Sequence, residues 1–136
     1  MIEHRLEKIS EYRSRATRYL QNFEWEMEKK DREKAGEALW GVVSCLFNAI
    51  YLLKTGKPCS EHAKLRIFAG EFLVSNFGEA DGERFYYIYR KVEKFHANFY
   101  HAFLEEDEFE KYASEILGLL EILDNKLQNM LNEIEI

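Results

Sequence analysis

The chain has 136 residues, of which 46% are hydrophobic and 15% aromatic, and carries a formal net charge of -6. That length suffices for one domain with a continuous core and is too short for two. The acidic balance excludes broad electrostatic attraction to nucleic acid, so any such contact must come from a local basic patch.

One proline, seven glycines and the lack of alternating polar and apolar runs predict an all-α fold. A first helix is expected over residues 2–29, with Ile2, Leu6, Ile9, Ala16, Leu20, Phe23 and Met27 at helical spacing. Arg13 interrupts this stripe, and neighbouring Tyr12 can take its place. The opening MIEHRLEKISEYRSR is charged from its third residue and shows no secretion signal, which makes the cytoplasm the expected compartment.

A second helix is expected over residues 31–54, capped by Asp31 and ended by Thr55, Gly56 and Pro58. KKDREK contains neither Gly nor Pro, which leaves open a helix continuous through this boundary. Stripes Leu39, Val42, Leu46, Ala49, Leu53 and Trp40, Val43, Phe47, Ile50 make most of the circumference apolar, so the helix should be central. Gly41, Ser44 and Asn48 break the apolar run below the ~20 residues of a membrane span, and no membrane association is expected. Cys45 and Cys59 are expected as reduced structural thiols.

Ser60 is the expected cap of a shorter third helix carrying Leu65, Phe68, Ala69, Phe72 and Leu73 and stopping near Asn76 to Gly78. A fourth is expected after Asp81 and Gly82. The fifth begins within EEDEFE and keeps a 4-3 rhythm through Phe109, Ala113, Ile116, Leu120, Leu123, Leu127, Met130 and Ile134. The acidic start needs no function, because negative charge favours a helix N-terminus by ~0.3–1 kcal/mol. Short connections predict an antiparallel up-and-down bundle of four long helices and one shorter helix.

The fourth helix carries the chemistry-bearing stretch, RKVEKFHANFYHAF at 90–103. Phe85, Tyr89, Val92, His96, Phe99 and Phe103 share one stripe, so periodicity alone favours His96 as a packed residue. Arg90, Lys91, Glu93 and Lys94 read as a solvated flank. Against this stands the pair Arg90 and His96: a fixed cation for a phosphate and an acid–base group are what metal-free RNA cleavage needs. On a straight helix the two are ~9 Å apart along the axis and ~120° apart around it. A reaching arginine, a distorted helix or a second subunit would have to join them. The surplus of aromatics, Tyr86, Tyr87, Phe95, Phe99 and Tyr100, predicts a homodimer.

Glu93-x-x-His96 has the spacing of a di-iron ligand pair but lacks the second such motif. Cys59 and His62 offer two ligands where structural zinc takes four. No metal or cofactor is expected.

KFHANFYHAF, together with ALWGVVSCLFNAI at 38–50, resembles the HEPN superfamily (higher eukaryotes and prokaryotes nucleotide-binding), nearest to its archaeal PaREP-type branch. The likeness covers residues 31–122. It implies a helical bundle, commonly dimeric, that acts on or binds RNA. It implies Arg90 and His96 as the catalytic pair of a metal-independent endoribonuclease, with Lys94, Asn98, Tyr100 and His101 contacting RNA or nucleotide. Tyr100 is equally suited to packing against a neighbouring helix. Active members place a small polar residue after the arginine; here that residue is Lys91. The rival expectation is a non-catalytic module for a nucleotide, RNA or protein partner, such as a minimal nucleotidyltransferase in a toxin-antitoxin pair.

Overall fold

The structure, a computed structural model, describes residues 2–97 and 105–134, except for the side chains at positions 96, 97 and 106. Among these residues the protein is all-α: α1 (Ile2–Glu28), α2 (Arg32–Thr55), α3 (His62–Phe77), α4 (Glu79–Ala97) and α5 (Glu106–Ile134). The helices form a bundle in which α3, at 16 residues, is the shortest.

The α1–α2 boundary turns on Lys30, whose φ of 62° places it in the left-handed region. An L-residue adopts that conformation at a cost of order 1 kcal/mol. Asp31 offsets it, its carboxylate accepting the Lys34 backbone N–H at 3.1 Å. Gly56, with φ 77°, ends α2 and donates its N–H to the Leu52 carbonyl.

Two expected boundaries shift. Glu61, not Ser60, is the N-cap of α3, and its side chain makes no capping bond. Gly78 alone separates α3 from α4. Gly82 therefore lies inside α4, where a Cβ would come within 2.5 Å of the Val74 Cα. The glycine serves close helix approach rather than a turn.

Antiparallel pairing follows from which residues meet. Gly41 faces the Tyr19 ring across α1–α2, Gly70 faces Tyr86 across α3–α4, and Phe95 stacks on Phe109 across α4–α5. Helix α2 packs against all four others, as its apolar circumference requires. An 18-residue window within it has mean hydropathy 1.5, enough by length and composition to cross a membrane. Here that apolar surface is absorbed by neighbouring helices: Leu39, Val43, Phe47, Ala49 and Ile50 are all buried. Each large aliphatic or aromatic side chain so buried favours folding by ~1.5–3 kcal/mol.

On α1, Ile9, Ala16 and Phe23 are buried and Ile2 is exposed. Tyr12 packs against the core. Arg13 leaves the apolar stripe to bridge to α5, donating to Gln128 Oε1 at 2.9 Å and Asp124 Oδ1 at 3.1 Å. Both cysteines are free thiols, Cys45 buried and Cys59 partly so.

Candidate functional site

Helix α4 is continuous through Ala97, so helix distortion does not bring Arg90 and His96 together. His96 belongs to this helix, but its side chain lies outside the described residues, as do Asn98, Tyr100 and His101. Arg90 is exposed and bound through Nε to Glu93 Oε1 at 2.8 Å, one turn along the helix. Lys94 is exposed beside it.

The expected solvated flank is only partly so. Lys91 keeps 13% of its side chain exposed and reaches α5, its ammonium 3.5 Å from Glu115 Oε2. Aromatic rings flank the ammonium, their centroids 4.0 Å away for Tyr112 and 4.5 Å for Tyr87. Glu93 is 9% exposed and accepts a second arginine: Arg66 Nε of α3 donates to Oε1 at 3.0 Å and to Oε2 at 2.9 Å. The physical reason for both departures is pairing. A long side chain sinks into a helix seam when its charge finds a partner there.

One carboxylate thus holds two guanidiniums and leaves a net positive charge at the α3–α4 surface. The hydrogen bond to Glu93, followed by its charge, raises the Arg66 pKa further. Behind the group lies Tyr89, 0% exposed, whose hydroxyl is buried without a hydrogen-bond partner. Burial, then the negative charge of Glu93, pushes its pKa well above the usual 10.0.

The tryptophan and glycine at 40 and 41 serve packing. The Trp40 ring is buried, stacks on His62 with centroids 4.8 Å apart, and meets Tyr89 edge-on at 5.8 Å. Gly41 lets the Tyr19 ring of α1 lie against α2. Of the aromatics expected to mark a dimer surface, Phe95 is buried and Tyr86 is half-buried, stacking on Tyr89. Tyr87 is 61% exposed. Phe99 and Tyr100 lie outside the described residues.

The Glu93 carboxylate is committed to arginines rather than presented to a metal. The Cys59 thiol donates to the Glu61 carbonyl at 3.3 Å. Among the described residues, no group of three or more histidine, cysteine, aspartate or glutamate side chains is arranged to hold a metal ion. A groove of about 730 Å³ runs between α1 and α2, lined in part by Tyr12, Tyr19, Trp25 and Asn48. Neither Arg90 nor Lys94 lines it.

Arg66 was not legible as a site residue, because it stands 27 positions before its partner on another helix. No local motif links the two. Comparison with known proteins finds no matching family model, no similar curated protein and no similar solved structure.

Proposed function

We propose that this protein is an RNA-binding helical bundle in which Arg90 and Lys94 contact the phosphate backbone. The observation that carries this reading is the anchoring of Arg90 on Glu93 while 47% of its side chain stays exposed. The contact holds the guanidinium at the surface one helical turn from the exposed Lys94, so two cations share one solvent-facing edge of α4. The likeness of residues 38–50 and 94–103 to HEPN domains supports RNA as the ligand.

Binding is favoured over cleavage by a single chain. On a continuous α4, Arg90 and His96 remain ~9 Å apart along the axis and ~120° around it. The contact with Glu93 occupies the arginine three residues along rather than six. The test is fluorescence anisotropy with a labelled single-stranded RNA oligonucleotide at low salt. The double variant Arg90→Ala, Lys94→Ala should bind at least ~10-fold more weakly, by the loss of two phosphate contacts. Wild-type protein that fails to bind would end the reading. Chelator-resistant cleavage leaving cyclic phosphate ends, abolished by His96→Ala with the fold intact, would replace it with the endoribonuclease.

A further inference from the structure

The ion group at the α3–α4 seam has an unusual balance. Arg66 and Arg90 are 39% and 47% exposed in their side chains, whereas the carboxylate between them is 9% exposed. The cations form the outer layer and the anion lies beneath. A carboxylate and a phosphodiester each carry one negative charge shared between two oxygens, and guanidinium groups bind both in the same planar manner. Glu93 therefore satisfies the arginines as a phosphate would.

The second observation is Tyr89. Its hydroxyl is buried and unpartnered, a state that costs of order 1–3 kcal/mol. Tyr89 precedes Glu93 by one helical turn on the same face of α4, and Glu93 and Arg66 both act on it electrostatically. It is an unpartnered donor one turn along α4 from a carboxylate whose present partners are both arginines.

We infer that Arg66 and Arg90 form a paired-guanidinium site for one phosphodiester of RNA, that Glu93 is its internal competitor, and that the Tyr89 hydroxyl receives Glu93 when the phosphate displaces it. The inference rests on the RNA-binding reading above and extends that surface from α4 onto α3. It also supplies a reason for the orphaned hydroxyl. No bond is made or broken covalently: two guanidiniums exchange one anion for another, and the released carboxylate gains a neutral donor.

The experiment measures binding of the same labelled single-stranded RNA as a function of salt. Arg66→Ala should weaken binding and reduce the slope of log affinity against log salt by up to about 0.7, the value for losing one phosphate of a single strand altogether. Arg66→Lys keeps the charge and should still weaken binding, because the planar fork is lost. Glu93→Gln should strengthen binding severalfold, while Glu110→Gln, an equal charge change on α5, should not. Tyr89→Phe should weaken binding with no loss of stability in denaturant titration, a combination that a packing role would not produce.

Arg66→Ala with wild-type affinity and slope, alongside a weakened Arg90→Ala, Lys94→Ala variant, would confine the site to α4. That result overturns the inference and leaves the RNA-binding reading standing. Equal strengthening by Glu93→Gln and Glu110→Gln would reduce the effect to net charge and overturn the competitor role. Wild-type protein that binds no RNA ends both.

Discussion

The Lys91 ammonium of α4 lies 4.0 Å from the centroid of the Tyr112 ring of α5. With Glu115 at 3.5 Å and Tyr87 on its other side, the lysine clamps two helices together. It stands directly after Arg90 on α4. In this chain the position serves the α4–α5 seam.

Lys91→Ala should therefore lower unfolding free energy by about 1–2 kcal/mol, through the lost cation–π contacts and buried stem. Equilibrium denaturation checks this. RNA affinity should change far less than in Arg90→Ala, Lys94→Ala.

Three glycines should respond differently to alanine. At Gly82 a Cβ would meet Val74 Cα and Leu73 O at 2.5 and 2.6 Å, and backbone cannot swing aside. Gly82→Ala should cost at least about 2–3 kcal/mol, as overpacking does. Gly41→Ala meets the Tyr19 ring at 2.8 Å, and a side chain can turn, so the loss should be smaller. Gly118 has nothing within 4 Å of a Cβ and lies inside α5. Gly118→Ala should stabilise by about 0.5–1 kcal/mol. Thermal melts of the three variants rank them.

Stability should fall at alkaline pH. Burial raises the Cys45 pKa above its usual 9.0, with Arg15 and Arg18 opposing, and raises that of Tyr89 above its usual 10.0. Both folded groups keep protons that the unfolded chain releases. Their contribution is complete below the unfolded values and declines as pH rises above about 9–10. Denaturant titrations at about pH 8 and about pH 10.5 measure the loss, and Tyr89→Phe should reduce it.

Helix α1 packs along α2 and is tied to α5 by Arg13, through Asp124 and Gln128. Arg13→Ala should speed amide hydrogen exchange in α1 while leaving α3 and α4 nearly unchanged, since local opening follows local contacts. Equal acceleration in all helices would show that the bridge supports the whole bundle.

Periodicity by itself determined the helical class and most of the core. Leu39, Val42, Val43, Leu46, Phe47, Ala49, Ile50 and Leu53 are legible as an apolar circumference and are buried, because helical spacing already specifies which side chains share a face. Asp31 and Gly56 were legible as helix ends for the same local reason: a cap acts within one turn. Lys30 was not, since its left-handed turn is held by neighbours rather than by its own preference. Gly82 reads as a helix start from sequence and proves to be a point of helix contact, which depends on where Val74 stands. On α4, local spacing marked Arg90, Lys91, Glu93 and Lys94 as a solvated flank, of which Arg90 and Lys94 are exposed. Only tertiary structure brought Arg66 from α3 to Glu93, turned Lys91 into the α4–α5 seam and left the Tyr89 hydroxyl without a partner beneath them. Ion pairs and buried polar groups are decided by distance in space, and pairing across helices leaves no periodic trace in the chain.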